Sequence, residues 1–94
     1  MRINKEDIKI IKTKVKEIFG EVETYIFGSI LNDKKRGGDI DIFIRTDFNK
    51  DTFNKKIKLQ MLLEDMLFRP IDIVIEKENN QNIKNEALRG LKIC

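Results

Sequence analysis

Apolar residues in the first part of the chain recur at helical spacing. They fall every three or four positions between Ile8 and Phe19, with charged residues between them. Asn4 precedes this pattern as a candidate N-cap, and Gly20 interrupts it. The spacing therefore predicts an amphipathic helix between Asn4 and Gly20.

Four later segments have the composition of short β-strands. They are rich in β-branched and aromatic residues and are bounded by turn residues; they run from Val22 to Phe27, Gly38 to Ile44, Ile71 to Ile75 and Leu91 to Cys94. In the second segment the isoleucines alternate with Asp39 and Asp41. Because side chains alternate across a strand, these aspartates are predicted to share the face opposite the isoleucines.

Two further helices are predicted between these strands. Asp51 is a candidate N-cap for a helix that runs to about Phe68, since Pro70 prevents its continuation. A short last helix is predicted from Ile83 to Arg89, and Gly90 ends it.

The size of the chain limits it to one domain. With 94 residues it is predicted to form a single α+β domain over residues 1–94, with a mixed β-sheet of about four strands backed by helices. Charged residues make up 37% and apolar residues 40%, which is typical of a soluble globular domain. The net charge of +3 suits an anionic ligand but is too small for a dedicated nucleic-acid binder, so no direct DNA binding is expected.

Cysteine and histidine usage limits the chemistry. The one cysteine, Cys94, excludes an intramolecular disulfide, and the absence of histidine excludes Cys/His zinc sites. A metal would therefore be held by oxygen ligands. No apolar stretch approaches the roughly 20 residues of a membrane span, and no signal-peptide core precedes Lys16. No membrane association is expected, and a reducing cytoplasm is the expected location.

The segment from Tyr25 to Ile44 combines a turn, a basic loop and two aspartates. On one strand face, the Cα atoms of Asp39 and Asp41 would lie about 6.5 Å apart, a spacing at which two carboxylates can hold one or two divalent metals. Gly28 permits a tight turn, and a short helix starting at Ser29 would offer free N–H groups to a phosphate. The segment therefore predicts a site for metal and triphosphate.

Asp72 is the third carboxylate of interest. It interrupts the aliphatic segment Ile71 to Ile75, which predicts a largely buried strand. A buried carboxylate is costly unless it is paired or binds a metal. A neighbouring strand that carries Asp39 and Asp41 would bring three carboxylates together, and Mg²⁺ is the simplest means of keeping them ionised there.

Each of these features also has an ordinary structural explanation. Asp39 and Asp41 could lie on a solvent-facing strand after a Gly-Gly turn, where aspartate is common. Asp72 could form a salt bridge to a lysine of another element. In the helix that ends near Phe68, core packing explains most apolar residues, and the remainder could form a partner surface in which methionines such as Met61 adapt to protein contacts.

The motif FGS, a spacer, GGDIDIFI and a later PIDIVI together resemble the minimal nucleotidyltransferase (MNT) branch of the polymerase-β-like nucleotidyltransferase superfamily. The ending EALRGLKI is similar to the helix and strand that finish many members of that branch. The resemblance implies that Gly28 and Ser29 contact the nucleotide phosphates. It also implies that Asp39, Asp41 and Asp72 are the catalytic residues and metal ligands, with Asp72 nearest the attacking hydroxyl.

The loop between the two motifs departs from the family pattern. Nine residues separate Ser29 from Asp39, one fewer than is usual in the family, and Ile30 stands where a basic residue is common. The basic residues Lys34, Lys35 and Arg36 lie in this loop. They either replace the missing phosphate contact or form a solvated turn.

The resemblance implies a Mg²⁺-dependent enzyme, with two ions, that transfers AMP from ATP to a hydroxyl. In the MNT family the acceptor is commonly a tyrosine of a HEPN-domain ribonuclease toxin, which would make the chain an antitoxin. The chain has no room for a second substrate-binding domain, so the acceptor is expected on another macromolecule.

Two alternatives belong to other functional classes. One is a non-catalytic interaction module, an antitoxin that masks its toxin and carries a degenerate nucleotide site; Ile30 and the shortened spacer support it. The other is transfer to a small molecule, which the short chain disfavours.

Overall fold

The structure of the protein is a computed structural model that describes residues 3–28, 39–78 and 81–94. Within these ranges the chain forms α-helices, β-strands and one 3₁₀ helix. In chain order they are α1 (Lys5–Phe19), β1 (Glu23–Phe27), β2 (Ile40–Arg45), α2 (Lys50–Leu67), β3 (Ile71–Ile75), a 3₁₀ helix (Glu76–Glu78), α3 (Gln81–Leu88) and β4 (Leu91–Lys92). The predicted short helix at Ser29 lies outside the described residues.

The described strands form one mixed sheet in the order β3-β2-β1-β4. Strand β1 pairs antiparallel with β2 and with β4, whereas β2 and β3 run parallel. The parallel pair is joined through α2, as a parallel connection requires. This arrangement confirms the predicted α+β domain with a four-stranded mixed sheet backed by helices.

The two faces of the sheet bury different sets of side chains. On one face Ile40, Ile42 and Ile44 are completely buried in a core that also contains residues of α1 and α2. On the other face Phe43 packs in a smaller cluster with Ala87 of α3. The alternation along β2 thus confirms that its isoleucines lie opposite the face of Asp41, because successive side chains point to opposite sides.

The helix caps agree with the sequence at α1 and correct it at α2. The Asn4 side chain accepts a hydrogen bond from the Asp7 backbone N–H at 2.8 Å, as expected of an N-cap. The predicted cap of α2, Asp51, is wrong: the cap is Asn49, and Asp51 lies in the first turn. Asn49 is the cap because Thr52, three residues later, completes a reciprocal capping box. The Asn49 backbone N–H donates to Oγ1 of Thr52 at 2.8 Å, and the Thr52 backbone N–H donates to Oδ1 of Asn49 at 2.9 Å.

We expect Asn49→Ala to lower the free energy of unfolding by about 1 kcal/mol, since it leaves a helix N–H without its partner. For a domain of this size that is a fall in melting temperature of about 4–8 °C. Asp51→Ala is the matched control, because Asp51 is exposed and its ion pair with Lys55 at 3.2 Å lies on the surface. Thermal unfolding followed by circular dichroism measures both; equal losses would contradict the assignment of the cap.

The edge strand β3 is protected by glutamates from neighbouring elements. Glu64 of α2 accepts a hydrogen bond from the Ile71 backbone N–H at 3.1 Å, and Glu78 accepts one from Ile75 at 2.8 Å. Since unpaired edge N–H groups invite pairing with another chain, these bonds make β3 a poor template for an added strand. No described helix is long and apolar enough to cross a membrane.

Candidate active site

The parallel pairing of β2 and β3 brings two of the predicted carboxylates side by side. Asp41 and Asp72 are direct Cα partners in this register, on strands that lie about 4.8 Å apart. Both are the second residue of their strand. Asp39 comes immediately before β2 and is exposed. The fold therefore places all three aspartates at one end of the sheet.

The burial of Asp72 differs from the prediction. The strand itself is largely buried, as expected, but Asp72 is its exposed position. Ile71 and Ile73 point into the core shared with α1 and α2, whereas Asp72 lies on the opposite face at the end of the edge strand. Its carboxylate therefore keeps contact with water, and burial does not force Asp72 to find a partner.

Gly28 lies directly against Asp41. Its φ angle is +83°, a conformation that side chains other than glycine rarely adopt. A Cβ atom at this position would collide with Oδ2 of Asp41. Glycine thus has two roles here: it allows the turn after β1, and it leaves space for the half-buried carboxylate of Asp41.

The electrostatic environment of Asp41 is negative. Burial, followed by the negative charges of Asp72, Asp39 and Glu86, raises the pKa of Asp41 from its ordinary 3.8 to about 6. No cationic side chain among the described residues lowers it. The site consequently holds negative charge that the described part of the chain does not neutralise.

Glu86 is a fourth acidic residue at this site that the sequence argument did not identify. It belongs to α3, which packs on the sheet through the fully buried Ala87. The helix is also tied to the sheet region by an ion pair of 3.2 Å between Lys84 and Glu76. The sequence feature that could have indicated Glu86 is the small residue Ala87 directly after it in a short helix, because a small side chain permits close packing of a helix on a sheet.

The donor set fits a hard divalent cation in its chemistry. Aspartate oxygens are the ligands that Mg²⁺ prefers, and the uncompensated charge around Asp41 favours a cation. Among the described residues, however, no three acidic, histidine or cysteine side chains stand close enough to hold a metal ion. The convergence of Asp39, Asp41 and Asp72 on one ion therefore stays a prediction.

The remaining predicted site residues lie outside the described part of the chain. These are Ser29, Lys34, Lys35 and Arg36. Their proposed contacts to phosphate therefore also stay predictions. Of the predicted phosphate-binding residues, Gly28 is described, and it stands beside the carboxylate of Asp41.

The sequence matches the family model "Polymerase beta, Nucleotidyltransferase" over residues 6–94. The chain therefore belongs to the polymerase-β nucleotidyltransferase family. A search of curated proteins found no match.

Solved structures show the same fold at low sequence identity. One is a chain of the crystal structure of the toxin–antitoxin MntA–HepT, at 15% identity and a TM-score of 0.76, covering 97% of this chain and 72% of that one. A second is from the tri-AMPylated Shewanella oneidensis HEPN toxin in complex with MNT antitoxin, at 16% identity and a TM-score of 0.77, covering 98% and 72%. A third, assigned as a minimal nucleotidyltransferase, has 19% identity and a TM-score of 0.72, covering 92% and 87%.

Proposed function

We propose that residues 1–94 form a minimal nucleotidyltransferase domain that transfers AMP from ATP to a hydroxyl in a Mg²⁺-dependent reaction. The observation that carries the proposal is the pairing of Asp41 with Asp72, with Gly28 against Asp41, in a chain of the nucleotidyltransferase family. Asp39 stands at the same end of the sheet. Carboxylates in this position match the acidic residues that such a reaction requires.

The aspartates have different parts in the proposed reaction. Asp39, Asp41 and Asp72 would hold Mg²⁺, which when bound activates the acceptor oxygen and stabilises the pyrophosphate leaving group. The acceptor oxygen forms a bond to the α-phosphorus of ATP as the bond to pyrophosphate breaks. Asp72 is exposed at the sheet edge and Asp41 is half-buried, so an incoming hydroxyl reaches Asp72 first.

The phosphates of ATP need donors and positive charge beside these carboxylates. Gly28, which directly precedes Ser29 in the sequence, stands beside Asp41. We assign Ser29 to the triphosphate as a hydrogen-bond donor, and Lys35 and Arg36 as charge-assisted donors. Together they would offset the negative charge that the triphosphate adds to an already acidic site.

The proposed acceptor is a tyrosine of a HEPN toxin, which would make this protein an antitoxin of the cytoplasm. Two solved structures that share its fold are complexes of this type, one of them with an AMPylated toxin. The exposure of Asp39 and Asp72 supports a macromolecular acceptor, since the described part of the site does not enclose a small molecule.

A second candidate is a non-catalytic antitoxin that masks its toxin with a degenerate nucleotide site. Two observations favour it: the shortened spacer with Ile30, and the absence of a ready metal-holding group among the described residues. The two candidates differ in stoichiometry, because an enzyme turns over and a masking protein does not.

The test mixes the protein with its candidate HEPN-domain partner, ATP and Mg²⁺. An enzyme should add AMP units of about 329 Da each to the intact mass of the partner. It should silence the partner's ribonuclease activity at well below one equivalent. Omission of Mg²⁺ is the control, and it should abolish both effects.

Silencing that requires a full equivalent and adds no mass would instead establish the masking module. The double variant Asp39→Asn with Asp41→Asn separates the two further. It should lose the mass addition in an enzyme and keep full silencing in a masking protein.

A further inference from the structure

Helix α3 lies across the sheet face that carries the candidate active site. Ile83 and Ala87 pack against this face, in the same cluster as residues of β1 and β2. At 100° per residue, Lys84 and Glu86 lie about 80° to either side of the line through these two residues. Lys84 pairs with Glu76, which follows the C-terminal end of β3. Glu86 therefore projects in the other direction, toward the end of the sheet where the paired aspartates stand.

The position of Glu86 is electrostatically unfavourable. Its negative charge is one of those that raise the pKa of Asp41, so the two carboxylates repel each other. Glu86 also lies in the last turn of α3, where the helix dipole disfavours a negative charge. Its side chain is exposed and has no hydrogen bond or ion pair within the described part of the chain. The fold thus gains no electrostatic stability from a carboxylate at this position.

The other described glutamates are compensated. Glu6 lies in the first turn of α1, where the helix dipole favours a negative charge. A lysine, an arginine or a backbone N–H lies within hydrogen-bond or ion-pair distance of the carboxylates of Glu17, Glu21, Glu23, Glu64, Glu76 and Glu78. An uncompensated carboxylate beside like charges is typical of a binding or catalytic site. Glu86 is therefore a candidate for contact with a ligand.

The sides from which nucleotide and acceptor reach Asp41 decide which of them Glu86 faces. Helix α3 packs mainly on β1 and β2, and Gly28, which begins the predicted phosphate-binding turn, directly follows β1. Asp72 lies on the far side of Asp41, at the exposed edge strand β3, where the acceptor hydroxyl is expected. Glu86 consequently lies on the nucleotide side of the site.

We infer that Glu86 binds the ribose of the nucleotide, with its carboxylate accepting hydrogen bonds from the ribose hydroxyls. This inference rests on the proposed function and adds to it a positioning residue that selects ribonucleotides. A carboxylate accepts hydrogen bonds and repels phosphates, so its partners on ATP are the ribose hydroxyls or the base amine. The ribose is bonded directly to the α-phosphate at the aspartates, whereas the base amine lies farther away. Carboxylates hold ribose hydroxyls in the same way in dinucleotide-binding folds.

The test measures the Kd of ATP, 2′-deoxy-ATP and 3′-deoxy-ATP by calorimetry, each with Mg²⁺. The wild type should bind at least one deoxy analogue about tenfold or more weakly than ATP, because a hydrogen bond to a charged group is lost. In Glu86→Ala the ratio of these two Kd values should fall to about one, as a double-mutant cycle requires of directly interacting groups. Glu86→Gln keeps an acceptor oxygen without the charge and should retain part of the discrimination.

Asn85→Ala is the matched control. Asn85 is the exposed neighbour of Glu86 on α3, about 180° from the line of Ile83 and Ala87, and its variant should keep the wild-type ratio. The melting temperature of Glu86→Ala should not fall, since its exposed charge repels that of Asp41, whereas loss of a structural residue would lower it. A purely electrostatic role would change all three Kd values by the same factor and would overturn the inference.

The inference and the proposed function can fail separately. Equal wild-type affinities for ATP and both analogues, or an unchanged ratio in Glu86→Ala, would overturn the ribose contact, while AMP transfer to the HEPN-domain partner would still establish the proposed function. Discrimination that depends on Glu86 in a protein that transfers no AMP would support the ribose contact and refute the enzyme. A wild-type protein that binds none of the three nucleotides would refute both.

Discussion

Replacing Asp41 by asparagine should stop nucleotidyl transfer and at the same time stabilise the fold at neutral pH. Asp41→Asn keeps the shape of the side chain but removes a charge that the proposed Mg²⁺ site requires. We expect the rate of AMP transfer to fall at least about a hundredfold, a typical loss when one electrostatic contact of an active site is removed. The measurement is the rate of mass addition to the acceptor protein.

The stability effect has the opposite sign because the charge of Asp41 is unfavourable in the folded protein. The folded pKa of about 6 lies above the ordinary 3.8, so the folded state holds this proton more tightly than the unfolded chain. In the wild type, protonated Asp41 makes its full contribution to the free energy of unfolding below about pH 4, and this contribution is lost as the pH rises through 6. The gain in stability of Asp41→Asn over the wild type should therefore be small at pH 4, rise with pH and become constant above pH 7.

The size of this gain in stability follows from the shift in the pKa of Asp41. Two pKa units correspond to at most about 3 kcal/mol. Solvent screening of a half-exposed group reduces this to about 1 kcal/mol, or about 4–8 °C in melting temperature.

Melting curves between pH 4 and 8 without metal test this prediction. Asp65→Asn, at an exposed position of α2, is the control and should follow the wild type at every pH. Mg²⁺ should raise the melting temperature of the wild type and leave Asp41→Asn unchanged, since a ligand of the folded state stabilises it by mass action. A variant that is less stable than the wild type at pH 7 would contradict the electrostatic account.

The helices and strands could be predicted from the sequence because their apolar patterns are strong. The strand Ile71–Ile75 has the predicted bounds, since Pro70 precedes it and the 3₁₀ helix at Glu76 follows. Helix α1 begins after Asn4 and ends before Gly20, as its caps indicated. The cap of α2 was wrong because Asn49 and Asp51 are both good capping residues, and the choice depends on what stands three residues later.

The candidate site was predictable in its composition but less so in its environment. The sequence predicts that the strand of Asp72 lies beside the strand of Asp39 and Asp41, and the structure pairs Asp41 directly with Asp72. The exposure of Asp72 depends on strand order, since β3 lies at the edge of the sheet, and periodicity in one strand does not reveal its position. Glu86 reaches the site only through the packing of α3, a tertiary contact with no local signal strong enough to predict it.

Gly28→Ala should abolish most of the activity at a modest cost in stability. At a φ of +83° alanine costs about 1 kcal/mol through backbone strain. Its Cβ atom would also meet Oδ2 of Asp41, and because this oxygen is the end of a side chain, it can move away at little energetic cost. The carboxylate would then leave its position beside Asp72, and a displacement of about 1 Å is enough to lower turnover about a hundredfold.

Gly20→Ala is a control matched in the φ angle. Gly20 has a φ of +82°, and a Cβ atom there meets nothing within 4 Å. Both alanine variants should therefore lose stability in thermal unfolding, about 4–8 °C for each kcal/mol. The rate of AMP transfer should fall for Gly28→Ala alone. Equal activities in the two variants would show that the contact between Gly28 and Asp41 does not position the carboxylate, and that glycine at position 28 serves only the turn.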